Sequence, residues 1–274
     1  MIQPPIDDVR AAEDWERRRK VAMFRQGFPS SASANLLAAA AVLSIVVCSS
    51  ASPVSPIILV PGLAGSVFEA SLHKYKGPHS WCSGSTKKPF VTWLALTQLV
   101  PKQKDCLMDR LALHFDAATG TYSNTTGVSL NTNVDFGGTG GIGWLDPSLH
   151  ISGSAYYQPM IDFLVGLGVG YKVGTNLHGA PYDWRLGPDG HSAAGQYYDK
   201  LRSLVENTYS ANGNTTVTIV THSLGGPTVL GFLRRQPAEW KARHVRAFAP
   251  ISAPFGGTSS MCLAMVSGDN FGYR

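Results

Sequence analysis

Residues 217–227 read VTIVTHSLGGP, a run of β-forming residues that meets a small polar turn and then two glycines. Val, Thr and Ile favour a strand, whereas the residues that follow, up to Pro237, have the pattern of a helix that the proline ends. A strand that turns sharply into a helix holds the serine between them, Ser223, in an unfavourable backbone conformation with its hydroxyl exposed. The segment therefore predicts a sheet with packed helices and a candidate nucleophile at Ser223.

Elsewhere in the chain, short apolar runs alternate with stretches that have apolar side chains at helical spacing. Residues 57–60 form a continuously apolar run, which is typical of a central strand covered on both faces. Residues 156–168 and 197–209 carry helical apolar stripes, and further strands are expected over 172–177 and 245–252. This alternation predicts an α/β fold with a mostly parallel sheet.

The composition is that of a globular protein. Of its 274 residues, 44% are hydrophobic and 15% are charged, which excludes disordered and collagen-like classes. The formal charge of +5 is spread along the chain. Because no long basic block with interleaved aromatic residues occurs, we expect no nucleic-acid partner.

The N-terminal region has the features of a targeting segment. A basic cluster at residues 17–20 precedes an apolar stretch, 36–48, which as a helix would span about 20 Å, less than the ~30 Å hydrocarbon core of a bilayer. We interpret residues 36–51 as a secretory signal peptide that follows a charged head, 1–35. The alternative is an uncleaved signal anchor. Either reading predicts the secretory pathway, with the protein secreted or held in a vacuolar or lysosomal lumen.

The cysteines suit that compartment. One of the four, Cys48, lies in the apolar stretch, which leaves Cys82, Cys106 and Cys262. A bond between Cys82 and Cys106 would close a loop of about 25 residues and stabilise the fold by ~3 kcal/mol. Free buried thiols are the alternative. The spacing is not that of a metal site, and we expect neither a metal ion nor a cofactor.

Sequons for N-glycosylation occur at Asn124 and Asn214. Both asparagines lie in polar, turn-like stretches, and the predicted compartment permits the modification. We therefore predict a glycan at each of them.

Residues 76–109 form an excursion that contains both Cys82 and Cys106. Within it, residues 90–101 read FVTWLALTQLVP, which is too densely apolar for an ordinary surface loop. The stretch indicates either an apolar surface patch or a packed amphipathic helix. The section that follows, 116–143, is polar and glycine-rich, and FGGTGGIG is its clearest loop.

The environment predicted for Ser223 suits nucleophilic catalysis. The residues two before and two after it must be small, and they are Thr221 and Gly225, so the pattern is T-x-S-x-G. The N–H of Leu224, at the start of the helix, is placed to stabilise an oxyanion. A second donor must come from the loop after an earlier strand, and Leu63 in VPGLAG is the candidate. The alternative is a serine that merely separates a strand from a helix.

The base that should activate Ser223 is not evident. His222 adjoins the serine on the same turn and points in a different direction, and a base must come within about 3 Å of the hydroxyl. In this architecture the acid and the histidine follow the nucleophile in the chain. The later His244 precedes the next strand, at the wrong end of the sheet, so the sequence presents a nucleophile without a visible partner.

A series of motifs resembles the lecithin:cholesterol acyltransferase family, most closely its lysosomal phospholipase A branch. In order, they are ILVPG, WCS, TWL, DC, WLDPS, GAPYDWR, THSLGG, FLRRQPAEWKARHVRAF, APFGG and SGDN. They extend from about residue 56 to residue 268, within the hydrolase domain that we assign to residues 55–274.

The resemblance implies an α/β-hydrolase core with a cap and a small, disulfide-closed membrane-binding subdomain over 76–109. It also implies an acyl hydrolase or O-acyltransferase that moves a fatty acyl chain from a glycerophospholipid, through an acyl-serine, to water or a lipid alcohol at a membrane or lipoprotein surface. The positions that match the family's functional residues are the nucleophile Ser223, the oxyanion residues Leu63 and Leu224, the disulfide Cys82–Cys106, and the lipid-contact residues Phe90, Trp93 and Leu94.

The chain departs from that family at two points. The lysosomal branch carries an aspartate where this chain has Leu63, so tuning of the site by that carboxyl is not implied. The family's catalytic Asp and His lie well beyond SGDN, which here is followed by only four residues. We therefore expect the cap to be incomplete, and the chain to be truncated before the triad Asp and His and inactive as it stands. Alternatives are a non-catalytic lipid-surface binding protein on this scaffold, or an unrelated hydrolase of small soluble esters.

Overall fold

The computed structural model describes residues 54–193 and 196–259, together with Leu263 and Val266. The predicted head and signal segment, Cys262 and the SGDN segment lie outside these residues. The strands are β1 (Ile57–Val60), β2 (Phe68–Leu72), β3 (Phe90–Trp93), β4 (Leu113–Asp116), β5 (Thr121–Asn124), β6 (Val128–Asn131), β7 (Leu177–Gly179), β8 (Val217–His222) and β9 (Val245–Ile251). The α-helices are α1 (Pro101–Leu111), α2 (Gln158–Gly166), α3 (Pro188–Ser192), α4 (Tyr197–Ala211), α5 (Gly225–Arg234) and α6 (Ala238–His244), and 3-10 helices cover Leu96–Gln98 and Ser152–Ser154.

A four-stranded parallel sheet in the order β7-β1-β8-β9 forms the centre of the fold. This confirms the predicted α/β class with a mostly parallel sheet. The strand expected over 172–177 was misplaced, because it begins only at Leu177. Residues before it form a turn in which the carbonyl of Lys172 accepts hydrogen bonds from the N–H groups of Thr175 and Asn176.

The continuous apolarity of β1 is explained by the burial of both faces of the sheet. Ile58 and Val60 pack into a cluster with side chains of α4 and α5. Ile57 and Leu59, which point the other way because side chains alternate along a strand, pack into a second cluster with α2. All four side chains are fully buried, so β1 fixes the central layer from which the neighbouring loops project.

A second region lies beside the parallel sheet. It consists of the antiparallel sheet β3-β2-β6, the β4–β5 hairpin and helix α1. The predicted Cys82–Cys106 disulfide is present, with the two Cα atoms 5.7 Å apart. The amphipathic helix considered for residues 90–100 is wrong, because Phe90–Trp93 pairs with β2 as a strand. The glycine-rich section 116–143 contains two strands that the sequence pattern did not predict, β5 and β6.

Arg185, in the loop after β7, joins the two regions. Its guanidinium forms a bidentate ion pair with the carboxylate of Asp183, with N–O distances of 2.8 and 2.6 Å. It also donates to the carbonyl of Leu111 at 3.1 Å and to Oδ1 of Asn124 at 2.9 Å. A buried arginine with its donors satisfied in this way is a structural tie between the parallel sheet and the hairpin.

The sequence pattern did not predict helix α6. Its ends are nevertheless marked in the sequence: Pro237 precedes it, Glu239 lies in its first turn, and Lys241, Arg243 and His244 lie in its last. Within the ranges that the structure covers, no helix is both long and apolar enough to cross a bilayer.

Candidate active site

Ser223 occupies the turn between β8 and α5 with a φ of 51°. A non-glycine residue with a positive φ is uncommon and is strained unless its surroundings fix it. The backbone on both sides provides that support. The N–H of Ser223 donates to the carbonyl of Ile251 at 2.9 Å, and its own carbonyl accepts from the N–H of Gly226 at 2.9 Å. The serine is half-buried, at the edge of the sheet where β8 ends.

Close packing around the turn explains the two glycines after the serine. A Cβ on Gly225 would lie 2.4 Å from the carbonyl oxygen of Pro61, and one on Gly226 would lie 2.4 Å from Cβ of Ala253. Thr221, which stands where the family pattern G-x-S-x-G has glycine, is fully buried and is accommodated without displacing β8 from the sheet.

The loop after β1 lies directly against Ser223. A Cβ on Gly62 would come within 2.8 Å of Cβ of Ser223. The loop turns back through a bond from the N–H of Gly65 to the carbonyl of Gly62, with Ala64 at a φ of 61°. Leu63, at the tip of this turn, has a side chain that is 56% exposed. Among the described residues, the N–H groups of Leu63 and Leu224 have no hydrogen-bond acceptor, which is the state an oxyanion hole requires.

Tyr156 holds this loop in place, a contact that the sequence did not suggest. Its hydroxyl accepts a hydrogen bond from the N–H of Gly62 at 2.9 Å and lies 2.7 Å from Nδ1 of His222. Because the hydroxyl already accepts one bond, its own proton is available for Nδ1, which leaves the single N–H proton of the neutral imidazole on Nε2. Burial lowers the pKa of His222 and raises the pKa of Tyr156 above its ordinary value. Both groups are therefore neutral at pH 7, and His222 orients Tyr156.

No histidine hydrogen-bonds to Oγ of Ser223. All eight histidines of the chain fall within the described residues. His244 ends α6, where its Nδ1 lies 2.9 Å from the carbonyl of Trp240. Since β9 runs parallel to β8, His244 lies at the edge opposite Ser223, and six residues of strand separate the two edges by roughly 20 Å.

The three residues predicted to contact lipid are partly buried. Phe90 packs on the cluster around Tyr75, and the indole N–H of Trp93 donates to the carbonyl of Ala64 at 2.8 Å, in the loop beside Ser223. Leu94 is also half-buried. The large apolar side chains that the excursion exposes are different ones: Trp81, Leu96, Val100 and Met108.

The two sequons have different surroundings. Asn214 is exposed in the turn between α4 and β8. Asn124 is half-buried at the end of β5, with Oδ1 bound to Arg185.

A parallel sheet covered on both faces, with a serine at positive φ on a strand-to-helix turn and a glycine-rich loop against it, is the arrangement of an α/β-hydrolase-like protein. Residues 90–274 match the family described as "Lecithin:cholesterol acyltransferase". The chain belongs to this family.

Individual relatives support the same assignment. The chain is 38% identical over 215 residues to the human "Lysosomal phospholipase A and acyltransferase". The matched region covers 78% of this chain and 50% of the relative. It is 37% identical over 217 residues to the human "Phosphatidylcholine-sterol acyltransferase". That matched region covers 79% of this chain and 47% of the relative. The chain thus spans about half the length of these relatives.

Proposed function

We propose that this chain carries the part of a lipid acyl hydrolase or O-acyltransferase that contains the nucleophilic serine, Ser223. In this proposal, Oγ of Ser223 loses its proton to a base and attacks the acyl carbonyl carbon of a glycerophospholipid. The bond from that carbon to the glycerol oxygen breaks, and the lysophospholipid leaves with the oxygen and takes up the proton. The acyl chain is held as a serine ester until water or a lipid alcohol attacks the same carbon and returns Oγ to the free hydroxyl. The N–H groups of Leu63 and Leu224 stabilise the negative charge on the carbonyl oxygen during each step. The relatives named as lysosomal favour a protein of the secretory pathway.

The observation that carries the proposal is the strained φ of Ser223 beside two N–H groups, those of Leu63 and Leu224, that have no acceptor in the described part of the chain. A serine that only separates a strand from a helix has no need of that strain, which the neighbouring backbone must support. The names of the relatives, phospholipase A and acyltransferase, favour a phospholipid as the acyl donor.

The chain by itself is proposed to be nearly inactive, because none of its histidines reaches Ser223. A general base typically contributes about 10²–10⁴-fold to such a reaction. Free imidazole, added at high concentration, is small enough to act as a substitute base beside an open serine.

The test is fatty-acid release from phosphatidylcholine vesicles by the chain and by Ser223→Ala, each with and without imidazole. We expect release above the Ser223→Ala background only when imidazole is present. Identical release by both proteins under every condition would contradict the role of Ser223. Release that depends on Ser223 without imidazole would instead show that the chain supplies its own base.

A second candidate function is binding to a lipid surface without catalysis. It is favoured by the exposed apolar side chains of the excursion, among them Trp81 at 46% and Val100 at 47% exposure. In that case the partly buried residues predicted to contact lipid would pack beneath this surface or contact lipid at its edge; they are Phe90, Trp93 and Leu94. Vesicle flotation tests it: binding should persist in Ser223→Ala and weaken in a Trp81→Ser, Val100→Ser double variant. Flotation that is unchanged by the double variant would argue against this surface.

A further inference from the structure

A cavity of 610 Å³ lies between the β4–β5 hairpin and the loop that follows β7. Its lining does not include Ser223 or the loop after β1, so it is separate from the candidate active site. The volume is within the range of about 300–1,000 Å³ that is usual for ligand pockets.

One wall of the cavity is a face of the hairpin. Tyr122 and Asn124 are two residues apart on β5 and therefore point to the same side. Their partners across the hairpin are Phe115 and Leu113 on β4, and all four residues line the cavity. The rings of Phe115 and Tyr122 lie 5.0 Å apart, and these side chains are 57% and 41% exposed. The protein thus presents an aromatic surface two residues before a sequon asparagine.

The amide of Asn124 is fixed at the edge of this aromatic surface. Its Oδ1 accepts from Arg185, which is itself held by Asp183 and by the carbonyl of Leu111. Its Nδ2 has no acceptor among the described residues and is not buried. The amide oxygen is therefore anchored, and the nitrogen, the atom that a glycan would modify, is free.

We propose that Nδ2 of Asn124 carries an N-linked glycan whose first N-acetylglucosamine lies on the Phe115–Tyr122 surface, within the cavity. In forming this linkage, Nδ2 loses one proton and bonds to C1 of the sugar. The bond from C1 to the phosphate oxygen of a lipid-pyrophosphate oligosaccharide donor breaks, and the lipid pyrophosphate leaves with the electron pair. The C–H groups of the sugar then meet the electron-rich faces of the rings, and Arg185 keeps the new linkage pointed toward them.

Asn214 provides the internal control. It is the other predicted glycosylation site, it is exposed in a turn, and it does not line this cavity. A glycan there would extend into solvent and gain no comparable contact.

The test is to express the full chain in a eukaryotic secretory host, to map glycopeptides by mass spectrometry, and to follow enzymatic deglycosylation of the folded protein. We expect both sites to be occupied and the Asn124 glycan to be removed about tenfold more slowly than the Asn214 glycan, equivalent to ~1.4 kcal/mol of protection. A Phe115→Ser, Tyr122→Ser variant should equalise the two rates.

A second comparison covers the case in which that variant fails to fold. Thr126→Ala and Thr216→Ala each remove one sequon without changing the asparagine. Thr126→Ala should lower the melting temperature of the secreted protein, because it uncovers the aromatic pair, and Thr216→Ala should not. An unmodified Asn124, equal removal rates in the unsubstituted protein, or protection that survives in a folded aromatic variant would each overturn the proposal.

Discussion

The surroundings of Ser223 and the disulfide-closed excursion are stabilised in different ways. At Ser223, position is set by backbone: a fully buried strand, hydrogen bonds on both sides of the serine, and glycines that admit neighbouring carbonyls. In the excursion, side-chain links add to the pairing of β3 with β2, namely the Cys82–Cys106 bond and the hydrogen bond from the indole N–H of Trp93 to the carbonyl of Ala64. Backbone packing gives the rigidity that a strained nucleophile needs. Cross-links instead let the excursion keep large apolar side chains exposed, where they are available for contact with lipid.

The largest effect is expected from filling the space beside the nucleophile. Gly225→Ala would drive a methyl group into the carbonyls of Pro61 and Val60, both of which are backbone atoms that cannot move aside. We expect a loss of about 4 kcal/mol in the free energy of unfolding, measured by urea denaturation. The matched control is Gly166→Ala, at the exposed end of α2, where no other described part of the chain outside the helix's own backbone lies within 4 Å of the added Cβ. This variant should be neutral or slightly stabilising. Equal losses in both variants would contradict the close packing at Ser223.

The next effect should be confined to the excursion. A Cys82→Ser, Cys106→Ser double variant releases a loop of about 25 residues and should lose ~3 kcal/mol. Hydrogen exchange should show faster exchange over residues 76–111 and unchanged protection of β8. A reductant should bring the unsubstituted protein to the behaviour of the variant and leave the variant itself unchanged. Loss of protection in β8 would mean that the two regions are not independently stabilised.

The third effect, on stability as a function of pH, is of similar size and arises in the core beside the parallel sheet. His191 is buried among Tyr182, Tyr197 and Tyr198 with no hydrogen-bond partner for either ring nitrogen among the described residues. Burial lowers its pKa from 6.5 to about 4. Between these two values the unfolded chain binds a proton that the folded chain does not, so stability falls as the pH is lowered through this window, by roughly 3 kcal/mol in total.

His191→Phe should flatten this part of the pH profile, measured by thermal unfolding between pH 7 and pH 4. The comparison variant is His73→Phe, at an exposed position, which should keep the slope of the unsubstituted protein. A slope that survives in His191→Phe would assign the acid sensitivity to other groups.

The smallest effect should come from the link between Tyr156 and the loop after β1. Tyr156→Phe leaves the N–H of Gly62 without its acceptor, at an expected local cost of about 1 kcal/mol. Hydrogen exchange of residues 62–65 should quicken accordingly. Tyr171→Phe is the control, because it removes a hydroxyl bonded to the carbonyl of Ser55, in the same apolar cluster but away from this loop. Equal hydrogen-exchange rates of residues 62–65 in both variants would show that the Tyr156 hydroxyl does not stabilise this loop.

The two regions also differ in how well the sequence predicts them. Around Ser223, the buried strands have β-branched runs, and the strand-to-helix turn has its own residue pattern, so local sequence is sufficient to locate both. The excursion depends on pairing between distant residues. Strand β3 exists because it pairs with β2, and apolar density alone could not distinguish it from a helix.

Contacts between side chains far apart in the sequence account for what was missed at the site. Tyr156 meets Gly62 and His222 only after three segments have come together, and no local pattern marks that meeting. The same holds for the burial of Trp93, whose indole N–H finds the carbonyl of Ala64. The predicted position of His244, at the sheet edge opposite Ser223, is confirmed. His244 comes just before β9 and Ser223 just after β8, and the two strands are parallel, so the residues lie at opposite ends of the sheet.

The role of Ser223 is tested most directly by identifying where an acyl chain becomes attached. The chain is incubated with phosphatidylcholine vesicles and imidazole, digested, and analysed by peptide mass spectrometry. We predict one fatty acyl ester, on the peptide that contains Ser223, and none in Ser223→Ala. Acylation of another residue, or an unmodified Ser223 peptide while fatty acid is being released, would contradict the account.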